Sequence, residues 1–245
     1  MITLSIENRS EFITGFLGPI SNLNDKCILK LSKDQITATL AAADSTIVCT
    51  ASYPCLLNVD KNISLNIPDI KKLIRVLSII PDKDFEITVN TNNISYSKNR
   101  YKFKFHLLDD GIIKIPSINI EKINTLEFDT TFNIHEKDLS TLFKGSAFTT
   151  ETNKLYLYTE DSCILGELGD KSRHNTDNFI CTVSESFNGK AVEKPLPINF
   201  ETFRLISFTG SKEINFRINQ KMGVICCKLS KGPTSLIYII SALIN

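Results

Sequence analysis

The side chains that could carry chemistry are few and scattered. His106, His135 and His174 stand alone, in no HExxH or other paired spacing that would seat zinc. Seven cysteines, at 27, 49, 55, 163, 181, 226 and 227, lie in apolar, strand-like surroundings without a CxxC. Tetrahedral metal sites need close ligand pairs, so these read as reduced, buried thiols. Glu160-Asp161 and Asp109-Asp110 pair carboxylates, but Gly111 follows the second and both read as turns. There is no G-x-S-x-G, phosphate-binding loop or dinucleotide fingerprint. Gly166-Glu167-Leu168-Gly169-Asp170, the most glycine-rich stretch, reads as loop. The expectation is no catalytic residue, no metal, no cofactor and no enzyme.

What remains is placed charge. Lys71, Lys72 and Arg75 lie off the apolar stripe Ile70, Leu73, Ile74 and Leu77 of one helical segment. Lys137, Thr141 and Lys144 share the face of another, at i, i+4 and i+7. Arg204, with Lys212 after it, belongs to a third, and a further segment offers only Arg9 between Glu7 and Glu11. Such faces suit a polyanion, and they equally describe ordinary solvated helices. With 28 basic and 27 acidic residues the net charge is +1, so no bulk field draws the chain to nucleic acid.

The elements that must position these residues are mostly strands. Alternation of period two runs through Tyr101–Leu107, Ile2/Leu4/Ile6, Leu29/Leu31, Ile36/Ala38/Leu40, Phe85/Ile87/Val89, Phe128/Thr130/Phe132, Phe179/Cys181/Val183 and Ile214/Phe216/Ile218. Four segments break it with helical spacing: Ser10–Leu23, Pro68–Ile80, His135–Phe148 and Pro197–Phe208. Ser10 is the expected N-cap of the first, and Pro68 the expected first residue of the second. With 245 residues, the chain is long enough for one large or two small domains. No run of 18 apolar residues occurs, so no membrane helix is expected. MITLSIENRSEF turns polar too soon for a signal peptide.

The helical segments pair as an internal repeat. Phe12 and Phe16 match Leu139 and Phe143 at an offset of 127. Pro68, Ile74, Arg75 and Leu77 match Pro197, Phe203, Arg204 and Ile206 at 129, and Ala43–Ile47 resembles Glu160–Ile164 at 117. Each half reads strand, helix, several strands, helix, three strands. The expected division is domain 1–108, an extended connector 109–124, and domain 125–245. The connector carries Ile112, Ile113, Ile115, Pro116 and Ile118, too apolar to hang free in water.

Several stretches together resemble a known family. They are Phe12–Leu23, Ala43-Asp44-Ser45, Leu65–Ile74 with its basic pair, and the terminal Leu236–Ile244. In order and coverage they resemble the DNA sliding clamps, the processivity clamps of tailed phages and proliferating cell nuclear antigen. The resemblance implies an α+β clamp fold, two tandem similar domains each with two helices packed on antiparallel β-sheets. It implies a ring-shaped homotrimer of six domains around duplex DNA, loaded by a clamp loader and tethering the replicative DNA polymerase. Late-transcription factors are a further partner class in tailed phages. The compartment would be the cytoplasm of a bacterial or phage-infected cell.

The same resemblance assigns residues. Lys71, Lys72, Arg75, Lys137, Lys144, Arg204, Lys212 and Arg9 would face DNA on the inner wall. Ala43, Ile115, Pro116, Ile118, Pro233, Ile239, Ser241 and Ala242 would form a partner-peptide pocket, with the tail backbone free to extend the peptide as a strand. Tyr101, Phe103 and Phe105 would meet Phe179, Cys181 and Val183 of the next copy. Two other readings compete: a non-catalytic β-rich structural or virion protein, and a monomeric processivity factor with an open DNA-binding face.

Overall fold

The computed structural model describes residues 2–57, 62–114, 116, 125–149, 153–173, 175–206, 208, 210–211 and 214–243. Lys212, Ile115, Ile118 and His174 lie outside the described residues. The chain forms two compact units of interleaved segments. The first takes 1–43, 49–116 and 230–236; the second takes 44–48, 117–229 and 237–245.

The first half runs β1 (Ile2–Ile6), a π-helical turn (Glu11–Leu17) continuing as α1 (Gly18–Leu23), then β2 (Cys27–Leu31), β3 (Gln35–Ala41), β4 (Ile47–Pro54) and β5 (Ile63–Ile67). It ends with α2 (Ile70–Ser78), β6 (Phe85–Val89), β7 (Asn93–Lys98) and β8 (Tyr101–His106). The second half repeats the order: β9 (Thr130–Ile134), α3 (Glu136–Gly145), β10 (Lys154–Glu160), β11 (Cys163–Leu168), β12 (Phe179–Ser184), the two-residue β13 (Asn188–Gly189) and β14 (Leu196–Asn199). Then come α4 (Phe200–Phe203), β15 (Ile214–Asn219), β16 (Val224–Lys231) and β17 (Thr234–Ser241).

The sheets repeat too. The order β1-β6-β7-β8 is matched by β9-β15-β16-β17, and β4-β3-β2-β5 by β12-β11-β10-β14. Every pairing with a described register is antiparallel, with one face of each strand buried. The alternating residues read from sequence, such as Leu4/Ile6, Ile36/Ala38/Leu40 and Phe216/Ile218, are core residues at 3% exposure or less.

The local reading needs several corrections. Ser10 does not cap the first helix: its backbone is already helical and its side chain makes no cap bond. Asn8 does so, its Oδ1 accepting from Glu11 N at 3.3 Å and its carbonyl from Phe12 N at 3.0 Å. Pro68 precedes the cap of α2, which is Asp69, accepting from Lys72 N at 2.7 Å. Pro197 lies in β14, and α4 is a single turn capped by Asn199. Cap to cap, the second helices are therefore offset by 130 residues, from 69 to 199. The match of Ala43–Ile47 to Glu160–Ile164 is out of phase. Asp44 sits between β3 and β4, whereas Asp161 sits between β10 and β11, the counterparts of β2 and β3.

The π-helical turn has a local cause. Pro19 has no N–H for the Gly15 carbonyl and would crowd it in α geometry. Gly18 N instead reaches Ile13 O, five residues back. A Cβ on Gly15 would lie 3.2 Å from Lys231 O and 3.3 Å from Thr234 Oγ1, so the helix rests there on the β16–β17 hairpin. Phe12 and Phe16 stack at 5.5 Å, and Tyr53 meets Phe12 edge-on at 5.1 Å.

Candidate nucleic-acid interface

Helix α2 buries Ile70, Leu73 and Leu77 and packs against the π-helical turn and α1. Lys71, Lys72 and Arg75 are exposed on its other side. Lys71 is bound to Asp25 at 2.9 Å. Lys72 and Arg75 make no ion pair with any described residue. The π-helical turn and α1 show solvent Thr14 and Asn22, which are uncharged. Arg9 is half-buried, and its N–H donates to Lys83 O at 2.7 Å. The exposed Lys83 thus joins Arg9, a neighbour that lies 74 positions away and so is hidden from any local pattern.

In the second unit, α3 buries Leu139 and Leu142 and exposes Lys137, Thr141 and Lys144 on one face. Both lysines are without an ion pair among the described residues. Of the helix acids, Glu136 accepts the Gly210 N–H at 3.1 Å. A Cβ at Gly145 would run into the Phe179 ring of β12, which would have to give way. Phe143 ties α3 to α4, its ring about 6.0 Å from Phe200 and Phe203. Arg204, just past α4, is held by Glu201 at 3.4 Å and lies 5.6 Å over the Phe200 ring. Exposed ion pairs are weak, so Lys71 and Arg204 can exchange their carboxylates for phosphates at small cost.

The partner-pocket residues are divided between the units. In the first, Ala43 and Pro233 are exposed and Pro116 half-buried; in the second, Ser241 is exposed and Ile239 and Ala242 half-buried. The tail backbone differs from expectation. Ser241 N, Ala242 N and Leu243 N donate to Thr46, Gly223 and Pro197 carbonyls at 2.8, 2.7 and 2.8 Å. With these donors spent inside the unit, an added strand could be met there only by carbonyls.

From sequence, Asp44 reads only as part of a turn. Its carboxylate accepts from Thr202 Oγ1 at 2.5 Å, Asn199 Nδ2 at 2.8 Å and Thr46 N at 3.1 Å. Partial burial pushes the Asp44 pKa up, but these hydrogen bonds outweigh it and leave it below the ordinary value. The turn is thereby fastened to the cap of α4. Two thiols are held protonated by contrast: burial pushes Cys27 up to about 12, and burial with Asp34 pushes Cys55 up to about 11. Cys55, Cys163 and Cys181 are half-buried rather than buried.

Four-stranded edges and helix pairs in duplicate define a class, the clamp-like α+β fold. Solved structures place it more closely, in the fold of proliferating cell nuclear antigen (PCNA). Entamoeba histolytica PCNA superposes with a TM-score of 0.77 over 99% of both chains at 12% identity. The structure of the C-terminal region of FEN-1 bound to A. fulgidus PCNA matches at 0.75, over 100% of this chain and 99% of that one, at 13% identity. Thermococcus kodakaraensis PCNA matches at 0.74, over 99% and 100%, at 11% identity. No family model and no curated protein sequence matches the chain. No described helix is long and apolar enough to cross a membrane.

Proposed function

We propose that this protein is a DNA sliding clamp. Three copies close a ring of six domains around duplex DNA, and the ring tethers a DNA polymerase, raising its effective concentration at the template rather than doing chemistry. The observation that carries the reading is the PCNA fold over 99% or more of this chain. The charge placement supports it: Lys72, Arg75, Lys137 and Lys144 are exposed and not spent on internal ion pairs among the described residues. Cations of this kind track phosphates without reading bases, which lets a ring slide.

Closure has support in the repeat. β8 and β12 are the edge strands of their four-stranded sheets. Both have helix-facing residues left partly open, Tyr101 at 42% exposure and Phe103, Phe179 and Cys181 half-buried. Open edges of this kind invite pairing. Their repeat counterparts are β17 and β4. Ser241 N, at the end of β17, bonds Thr46 O at the entry to β4. Pairing of β8 with the β12 of another copy repeats that arrangement. Heterologous contacts that close by rotation form rings.

A clamp loader, late-transcription factors and the bacterial or phage-infected cytoplasm belong to the same proposal, as does the partner-peptide role of Ala43, Ile115, Pro116, Ile118, Pro233, Ile239, Ser241 and Ala242. The test is solution mass by light scattering, followed by retention on circular against linear duplex DNA. A species of three times 27.5 kDa that stays on circles and runs off linear ends is expected. A monomer at every concentration that binds both templates alike would overturn the ring in favour of an open-face factor.

A further inference from the structure

Beyond strand pairing, the two edges carry opposite charge, and we propose that Arg100 of one copy pairs with Glu185 of the next. The inference rests on the ring reading and deepens it. β7 and β8 form a hairpin turning at Asn99, whose φ is 54°. Lys98 in this hairpin is already bound to Asp82 at 2.9 Å. Arg100, Lys102 and Lys104 are exposed and make no ion pair with any described residue. Tyr101, Phe103 and Phe105 share one face of β8, so Lys102 and Lys104 line the other, and Arg100 sits exposed in the two-residue turn that leads into them.

β12 presents the complement through a bulge. Leu165 faces Thr182, but Ile164 faces Ser184, so Val183 is an extra residue in the ladder. Beyond it the alternation reverses. Ser184 is 9% exposed, while Glu185 comes out on the side of Cys163, whose thiol donates to the Glu185 carbonyl at 3.8 Å. Glu160 stands on the same row, directly opposite Cys163 on β10. Without the bulge Glu185 would aim at the helix layer.

Pairing of the two edges must set helix-facing residues against helix-facing residues, because a one-residue slip would turn every side chain over. Two antiparallel registers do so over most of the strand lengths, placing either Tyr101 or Phe103 opposite Val183. In both, Arg100 comes opposite Ser184 or Ser186, on either side of Glu185, with Glu160 two strands behind. Within one copy, Glu185 makes no ion pair with any described residue. The pair would fix which register is taken and which edges recognise one another.

The test measures the protomer concentration at half-assembly, by light scattering at low and high salt, for the full chain. Arg100→Glu and Glu185→Arg should each raise it about tenfold at low salt and much less at high salt. The combined variant, with the charges exchanged, should return it to within about twofold of the starting protein. A trimer that tolerates both reversals, or a double exchange that fails to restore assembly while each variant stays folded by circular dichroism, overturns the pair and leaves the ring standing. A starting protein that is monomeric throughout overturns the ring itself.

Discussion

The two repeats place their positive charge on different helices. In the first it sits on the second helix, α2, with Lys71, Lys72 and Arg75. In the second it sits on the first helix, α3, with Lys137 and Lys144. The partners of both are poor in free charge: α1 exposes Asn22, and α4 is one turn with Arg204 held by Glu201. The reason lies in how each helix is held. α2 spans nine residues with a capped start and a regular apolar stripe, so a whole face is left for charge. α4 has four residues and is kept in place by rings, Phe203 lying 5.4 Å from Phe208 and 6.4 Å from Phe216. A duplicated fold preserves layers and pairings; it need not preserve which helix carries the exposed charge.

The largest expected effect separates the two ways of holding a helix. Phe203→Ala should cost about 3–5 kcal/mol, since α4 has no length of its own to fall back on. Leu73→Ala in α2 should cost about 2–4 kcal/mol. Urea unfolding of the two variants compares them, and a larger loss at Leu73 would contradict this view of α4. Gly145→Ala comes next. Its Cβ must displace the Phe179 ring, at about 1–3 kcal/mol and a fall in Tm of roughly 2–4 °C per kcal/mol.

The charged faces give the third comparison. Lys72→Ala with Arg75→Ala, and separately Lys137→Ala with Lys144→Ala, should each lower the salt dependence of DNA binding. The slope of log K against log salt should fall by about 0.9 for every phosphate that the variant no longer neutralises. If only the α3 pair mattered, the division of labour between repeats would be wrong. Lys71→Ala should lower the slope by a smaller step, because the weak pair with Asp25 must first be exchanged.

The smallest effect concerns Asp44. Its folded pKa lies below the ordinary value of 3.8, so its carboxylate stabilises the fold above that pH and the contribution fades as pH falls through the lowered value. Asp44→Asn should therefore weaken stability at neutral pH and flatten the acid limb of the stability curve. An acid limb identical in both proteins would mean that Thr202 and Asn199 do not depend on the charge.

Much of this is legible in the amino-acid order, for identifiable reasons. Buried strands show as period two and buried helices as period three to four, so the element order and its repetition can be read from residues such as Phe12, Phe16, Leu139 and Phe143. The lysine faces of α2 and α3 follow from the same spacing. The caps are easily misread because Asn8 and Ser10, or Pro68 and Asp69, offer equivalent local chemistry, and only the packed helix decides which N–H groups need a partner. The Asp44 and Asp161 turns match in sequence because both read acidic-Ser, and sheet order alone shows that they join different strands.

By itself, then, the sequence determined the class of fold, the twofold repeat, the absence of a recognisable catalytic motif and the basic helix faces, because local periodicity and charge spacing record burial directly. Tertiary structure decided what depends on distant neighbours. It seated the π-helical turn on the β16–β17 hairpin, where Gly15 meets Lys231. It brought Lys83 to Arg9 and fastened Asp44 to the cap of α4. It also left β8 and β12 as edges and turned Glu185 outward through a bulge. Pairings across tens to hundreds of residues leave no trace in a window of ten, and only the assembled sheets can specify them.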